Sequence, residues 1–272
     1  SEMCIRDRFV CMAIGAQTVF KNEEVEVSLL KEKTWVFSTW DYTTMYLIEG
    51  EDKAVLIDTG TRCADLDKIV GQITGKPLEV IVTHMHPDHA GCIKYFDKVW
   101  MHRADTVLVP QHAADYQGEF LYMEEGQVFD LGGRKLEVAW MPGHTPGSVV
   151  LLDKANGDCY SGDAFGSGEV WLQCVPMSPI ATFHESCCRM EKLMKEGHIK
   201  DIWCGHYPYL KSSLPLAYIQ TMIRISHRLM NGDQEGSEPY SNYFIKMPPT
   251  ARKLAEGRAM IVYDSTNIPE AR

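Results

Sequence analysis

Short apolar runs alternate with amphipathic stretches along the chain, and this pattern predicts an α/β protein built from short elements. Runs rich in β-branched and aromatic residues predict strands at 25–30, 35–37, 44–49, 53–58, 80–83, 98–101, 127–130, 136–140, 148–152, 159–161 and 202–204, with an edge strand at 259–263. Helical spacing of apolar residues predicts helices at 65–73, 88–96, 103–114, 184–195 and 214–231. The segment 235–249 is predicted to be a loop.

The predicted strands fall into two runs, and each run has helices nearby. This order favours two sheets packed face to face with helices on the outside. We therefore expect the chemistry of the protein to lie at one rim of the sandwich, where strand ends and loops converge.

The composition of the 272 residues limits which kinds of molecule the protein is expected to bind. The formal net charge is -10 and no basic cluster occurs, which argues against nucleic acid as a partner. No apolar run approaches the roughly 20 residues needed to cross a bilayer. A small-molecule substrate is the remaining expectation, and an anionic one stays open because bound metal ions can dominate the local field.

The cysteines indicate the cellular compartment of the protein, and the first residues indicate an artefact at the start of the sequence. Nine cysteines occur without a Cys-x-x-Cys pair, which favours free thiols in a reducing cytoplasm. Residues 2–8 resemble the translation of a sequencing adapter, so we set residues 1–8 aside as an artefact and treat 9–272 as a single domain. Secretion stays an alternative, because the natural start would then be missing.

The strongest chemical signal is a histidine cluster at the end of the strand predicted at 80–83. Three imidazoles and a carboxylate fall within six positions at a strand-to-helix turn: His84, His86, Asp88 and His89. Alternate spacing lets His84 and His86 approach one point, while Asp88 and His89 reach a second point nearby. Imidazole and carboxylate are ligands that suit zinc, iron or manganese.

This cluster resembles the His-x-His-x-Asp-His signature of the metallo-β-lactamase fold superfamily. Three later segments resemble the remaining family motifs in the expected order: 142–148 with His144, 161–163 with Asp163, and 204–208 with His206. The resemblance covers about residues 25–206. It implies an αββα sandwich of two mixed sheets with helices on the outer faces.

The resemblance also implies two metal positions. His84, His86 and His144 correspond to the ligands of the first, while Asp88, His89 and His206 correspond to those of the second, with Asp163 bridging both. Two divalent ions, zinc above iron or manganese, would share a hydroxide that attacks the substrate. Asp88 is an additional candidate for moving a proton to the leaving group. Asp58 either supports the ligand shell or simply ends its strand.

The substrate is less defined by the sequence. Asp163 is present where β-lactamases of similar motif usually lack it, so an ester, lactone or thioester with an apolar body is expected ahead of a phosphodiester or a β-lactam. Aromatic residues beside the motifs are candidates for binding that body, or alternatively pack in the core or rim: Trp40, Tyr42, Phe165, Trp171, Tyr207 and Tyr209. A non-catalytic metal-binding scaffold is the alternative of another class.

One further pattern has two explanations. Apolar residues recur at helical spacing within 214–231. Core packing or a homodimer contact explains this stripe better than a cofactor-binding role.

Overall fold

The largest layer is an eight-stranded sheet. The computed structural model describes residues 17–242 and 246–269, so the proposed adapter segment 1–8 lies outside the described residues. The strands of this first sheet lie side by side in chain order: β1 (Thr18–Lys21), β2 (Val25–Lys31), β3 (Thr34–Thr39), β4 (Thr44–Glu49), β5 (Ala54–Ile57), β6 (Leu78–Ile81), β7 (Lys98–His102) and β8 (Glu119–Met123).

A second sheet packs against the first, and a third, smaller sheet stands beside it. The second sheet has the order β14-β12-β11-β10-β9 and contains β9 (Val128–Asp130), β10 (Lys135–Trp140), β11 (Val149–Asp153), β12 (Asp158–Gly162) and β14 (Asp201–Cys204). The third sheet has the order β13-β17-β16-β15 and contains β13 (Glu169–Trp171), β15 (Glu238–Pro239), β16 (Ala251–Glu256) and β17 (Ala259–Asp264).

Six α-helices and several 3₁₀ turns connect the described strands. The α-helices are α1 (Leu66–Ile73), α2 (Pro87–Ala90), α3 (Val109–His112), α4 (Ile180–Lys195), α5 (Tyr207–Leu210) and α6 (Leu216–Met230). The 3₁₀ turns are Ile93–Tyr95, Arg103–Leu108 and Ser265–Asn267. Among the described residues, none of the helices combines the length and the apolar character that crossing a membrane requires.

The layering follows from the two-residue period of the strands. In β4, Tyr46 and Ile48 point into the layer between the two large sheets, whereas Met45 and Leu47 point to the opposite face, which α1 covers. The outer face of the second sheet is covered by α4 and α6, whose apolar stripes join one core with it. The order helix, sheet, sheet, helix confirms the predicted αββα sandwich, and the 214–231 stripe packs in that core.

The structure corrects several of the sequence predictions, and the short strand β15 lies within the segment 235–249 that was predicted to be a loop. The segment predicted as an edge strand, β17, is central in the third sheet, between β13 and β16. The helix predicted at 88–96 ends after one turn, because the Cys92 N–H donates to Thr59 Oγ1 at 3.2 Å instead of continuing the helix. The helix predicted at 103–114 is a 3₁₀ turn followed by the short α3, with Pro110 unable to donate to the preceding turn.

Candidate metal centre

Four loops meet at one rim of the sandwich, at the ends of strands from both large sheets. The loop after β6 leads into α2, and the loop between β10 and β11 lies beside it, where the Val149 N–H donates to Thr83 O at 3.0 Å. The parallel strands β12 and β14 end together, and the Gly205 N–H donates to Gly162 O at 2.8 Å. Strand pairing therefore brings together four segments that are distant in the chain.

The seven side chains predicted as metal ligands converge at this rim in two groups. The ligand atoms within each group all lie within 4.8 Å of one another: His84, His86 and His144 in the first group, and Asp88, His89, Asp163 and His206 in the second. In the first group, His86 Nδ1 is 2.9 Å from His144 Nε2. The ring of His84 stands edge-on to both, with centroids 4.8 and 4.7 Å away.

Asp163 is a member of the second group that also approaches the first. Its Oδ2 is 3.2 Å from His206 Nε2 in the second group and 3.9 Å from His144 Nε2 in the first, while its Oδ1 is 3.5 Å from His89 Nε2. Asp88 closes the second group, with its Oδ2 3.4 Å from His206 Nε2 and 3.6 Å from His89 Nε2. The arrangement places one carboxylate where it can reach both groups.

The residues present fit divalent metal ions. Three buried atoms of the cluster lack a hydrogen-bond partner: His84 Nε2, His89 Nε2 and Asp163 Oδ1. An unpartnered buried polar atom costs about 1–3 kcal/mol, and all three point into the cluster, where coordination would satisfy them. A set of imidazole nitrogens and carboxylate oxygens is also what zinc and iron bind.

Hydrogen bonds outside the cluster orient three of the histidines. Nδ1 of His89 donates to Asp58 Oδ2 at 2.7 Å, Nδ1 of His144 donates to Trp171 O at 2.7 Å, and Nδ1 of His206 donates to Tyr42 O at 3.2 Å. In each case, once the imidazole is neutral, the proton on Nδ1 leaves the lone pair of Nε2 directed into the cluster. Asp58 thus contacts the ligand shell as well as ending its strand.

Burial and charge divide the cluster into a neutral half and an ion-paired half. Burial lowers the pKa of His86 to about 3 and, with neighbouring histidines, lowers the pKa of His84, so both imidazoles are neutral and able to coordinate. Burial alone would also lower the pKa of His89 and His206, but the carboxylates of Asp163 and Asp88 outweigh it and raise both values. The second group is therefore zwitterionic when no metal is bound.

The six aromatic residues predicted to bind substrate differ in solvent exposure: three are exposed, one is buried and two are half-buried. Trp40, Tyr42 and Tyr209 are exposed by 54%, 51% and 59% of their surfaces. Tyr42 and Tyr209 stack with ring centroids 5.0 Å apart, and Tyr209 lies 6.0 Å from the His206 ring. Tyr42 and Tyr209 thus form an exposed aromatic wall at the second group, whereas the ring of Trp40 contacts the guanidinium of Arg62 at 5.5 Å.

The other three aromatic residues are less available. Phe165 is a correction: its side chain is 0% exposed within the core under the second sheet, so its ring has no surface to offer a substrate. Trp171 is half-buried, and its carbonyl holds His144 while its indole bonds Glu169. Tyr207 is half-buried with its ring 5.9 Å from that of Trp203.

Two contributors to the site escaped the sequence analysis. The carbonyl of Trp171 is a backbone group, and no residue pattern marks such a role. Asp105, a buried acid in the 3₁₀ turn after β7, bonds the backbone of two ligand loops. Its only signal in the sequence is an acidic residue shortly after a predicted strand.

The chain belongs to the metallo-beta-lactamase superfamily, because residues 38–184, more than half of its length, match the model of that family. The acyl-coenzyme A thioesterase MBLAC2 of Homo sapiens is 25% identical over 210 residues, which cover 63% of this chain and 75% of that protein. A hydroxyacylglutathione hydrolase of Francisella philomiragia is 24% identical over 191 residues, covering 68% and 73%.

Solved structures agree on the fold. A metallo-beta-lactamase from Pontibacter korlensis superposes with a TM-score of 0.60 at 17% identity, covering 75% of this chain and 99% of that chain. The protein TTHA1623 in a di-iron-bound form superposes with a TM-score of 0.52 at 27% identity, covering 64% and 90%. The predicted family and the prediction of a metal-dependent hydrolase are confirmed, with the substrate left open.

Proposed function

We propose that this protein is a dinuclear metallohydrolase that cleaves thioesters carrying an apolar acyl group. The observation that carries the proposal is the position of Asp163 between two complete ligand groups. Three imidazoles on one side and two imidazoles with Asp88 on the other match two metal positions, of which zinc is the ion we expect.

The residues of the chain account for the binding steps. Divalent ions held by His84, His86, His144, Asp88, His89, Asp163 and His206 would activate a water molecule as the nucleophile and polarise the substrate carbonyl. The wall of Tyr42 and Tyr209 offers apolar surface for the acyl body beside the second group. The Tyr209 hydroxyl is a candidate donor to the oxygen on which charge develops.

Two properties favour a thioester as the substrate: a thiolate is a good leaving group, and Asp88 has no proton to give to a poorer one. Attack of water on the acyl carbon breaks the carbon–sulfur bond and gives a carboxylate and a thiol. A thiolate leaves without prior protonation far more easily than an alkoxide, because thiols have a pKa of about 8.5. Hydrogen bonding and charge from His89 and His206 outweigh burial and lower the pKa of Asp88, so Asp88 is ionised. We therefore assign Asp88 to ligand binding and not to protonation of the leaving group.

The relatives support the same choice. An acyl-coenzyme A thioesterase and a hydroxyacylglutathione hydrolase both act, by their names, on thioesters.

The test compares kcat/KM for matched substrates with the same metal loaded: acyl-coenzyme A thioesters of increasing chain length, an acylglutathione, an aryl ester, a lactone, an aryl phosphodiester and a β-lactam. We expect thioesters to be cleaved fastest, with kcat/KM rising with acyl length. A hundredfold preference for the phosphodiester, about 2.7 kcal/mol in the transition state, would overturn the proposal in favour of a phosphodiesterase.

Two variants at one position separate the roles of Tyr209. Tyr209→Ala removes the stacked ring, so it should raise KM for long-chain thioesters more than for acetyl thioesters. Tyr209→Phe keeps the ring and removes the hydroxyl, so it should lower kcat only if the hydroxyl contacts the reacting carbonyl. Equal effects of both variants on all chain lengths would refute a role for the aromatic wall in binding the acyl group.

A further inference from the structure

A buried carboxylate outside the ligand set joins two of the ligand loops. Asp105 is 1% exposed and lies in the 3₁₀ turn Arg103–Leu108. Its Oδ2 accepts hydrogen bonds from the Met85 N–H at 3.0 Å and from the Thr145 hydroxyl at 2.9 Å. Its Oδ1 accepts from the Gly147 N–H at 2.5 Å.

These three donors lie beside the ligands of the first group. Met85 stands between His84 and His86, and Thr145 directly follows His144. Both oxygens of Asp105 are occupied by N–H and O–H donors, and neither belongs to the two groups of convergent ligand atoms. Asp105 therefore acts on the ligands through the backbone that carries them.

Gly147, on the other side of this contact, leaves the space that the carboxylate of Asp105 occupies. A Cβ atom added to Gly147 would lie 2.6 Å from Cγ and from Oδ1 of Asp105, closer than real Cβ atoms approach. The φ angle of Gly147 is outside the left-handed region, so the backbone conformation alone does not require glycine here. The glycine is explained by the close approach of Asp105.

Only a carboxylate satisfies all the donors. Each oxygen receives one backbone N–H, from Met85 on one side and from Gly147 on the other. An amide at this position would turn its NH₂ group toward one of those N–H donors, whichever way it is oriented. One bond would then be replaced by a repulsive contact inside the core.

We propose that Asp105 is a positioning residue that sets the distance between His144 and the pair His84 and His86, and thereby the affinity of the first metal position. The inference rests on the proposed dinuclear site. It predicts that losing this buried acid weakens one metal position and spares the other, because Asp88 and His89 lie in the helix α2, where Asp58 separately holds His89, and His206 lies on another segment.

The experiment titrates metal-free protein with Co²⁺ and follows both binding steps by absorbance. Asp105→Asn should weaken one step by about 10- to 100-fold, the usual effect of losing a residue that orients ligands, and leave the other within about threefold. Gly147→Ala displaces the carboxylate from the opposite side and should produce the same loss. The double variant should be no worse than the stronger single variant, because both changes break one contact.

Two backgrounds assign the weakened step to a position. With His206→Ala, which leaves the first group intact, Asp105→Asn must still lower Co²⁺ affinity. With His84→Ala, which leaves the second group intact, Asp105→Asn must have no effect on affinity. The reverse pattern, or an equal loss at both steps, overturns the proposal.

A matched control tests for a general loss of stability. Asp153 is a buried acid at the far end of β11, where it pairs with Arg134 at 2.7 Å. Asp153→Asn should lower the unfolding temperature of the metal-free protein without changing either Co²⁺ affinity. If Asp153→Asn weakens binding as Asp105→Asn does, Asp105 has only a structural role. Should Asp105→Asn fail to fold, Gly147→Ala carries the same comparison.

Failure of the proposed function gives a different result. A wild-type protein that binds two ions but cleaves no thioester contradicts the substrate proposal and leaves the comparison of affinities intact. A wild-type protein that binds a single ion contradicts the dinuclear site, and Asp105→Asn must then lower that one affinity or the inference is wrong.

Discussion

Two replacements of Asp58 should have different effects: one mainly lowers the stability of the fold, and the other mainly lowers the metal affinity of the site. Asp58 is 1% exposed, and its carboxylate accepts from the Thr83 N–H at 2.7 Å, the Thr83 hydroxyl at 2.9 Å and His89 Nδ1 at 2.7 Å. In Asp58→Ala all three buried donors lose their acceptor. At about 1–3 kcal/mol for each, the expected loss is at least about 3 kcal/mol, a large part of the roughly 5–15 kcal/mol that stabilises a typical domain.

Asp58→Asn should behave differently. Asp58 has a φ of 63°, a left-handed conformation that asparagine tolerates well. The amide oxygen can still accept from the Thr83 N–H, while its NH₂ group faces His89 Nδ1. His89 then accepts at Nδ1 and carries its proton on Nε2, the atom expected to bind metal. We expect a loss of about 1 kcal/mol in stability but a 10- to 100-fold loss in metal affinity at the second position.

The assays are urea unfolding of the metal-free variants, Co²⁺ titration, and ¹⁵N chemical shifts of the His89 ring, which report its tautomer. The Asp153→Asn protein serves again as the control for a buried acid distant from the site. If Asp58→Asn binds both ions as tightly as the wild type, the reasoning that Asp58 selects the tautomer of His89 is wrong.

The remaining predictions concern the whole cluster. Elemental analysis of protein purified without chelator should give about two ions per chain, and a value held at one contradicts the dinuclear site. Chelation should lower the unfolding temperature, since ligand at 1,000 times its Kd adds about 4 kcal/mol. Asp163→Ala should abolish hydrolysis while circular dichroism stays unchanged; wild-type turnover would reduce Asp163 to a turn residue. In metal-free protein, burial raises the pKa of Asp105 to about 6 from 3.8. The stabilisation that comes from this shift is therefore present below pH 4 and lost as the pH rises through 6. In urea unfolding, the free energy of unfolding of the wild type, relative to that of Asp105→Asn, should increase as the pH falls from 7 to 4.

The residues that converge at the candidate metal centre could be found from the sequence because each lies in a short motif whose turn chemistry is local. His84, His86 and Asp88 follow a buried strand at fixed spacing, and Gly143 precedes His144 with a φ of 152° that favours glycine. The layers could be predicted for a similar reason, since strands such as β4 are apolar on both faces.

Other features depend on contacts between distant segments and leave no local pattern. Strand β16 shows only two fully buried residues, Ala251 and Leu254, among charged neighbours, so its sequence does not indicate a strand. The orientation of His144 depends on the carbonyl of Trp171, and any residue supplies a carbonyl. The sequence left Phe165 open between a substrate-binding and a core position, because a residue beside a motif can face inward or outward.

Because of the third sheet, formation of the metal site should depend on the order in which segments of the chain are synthesised. The carbonyl of Trp171 that holds His144 belongs to β13, and β13 is held in place by parallel pairing with β17, near the end of the described chain. A nascent chain that has already exposed all seven predicted ligands to the solvent still lacks the strand that fixes His144. Metal captured at that stage would meet an imidazole free to rotate, so tight binding at the first position should be completed only after β17 has emerged and paired.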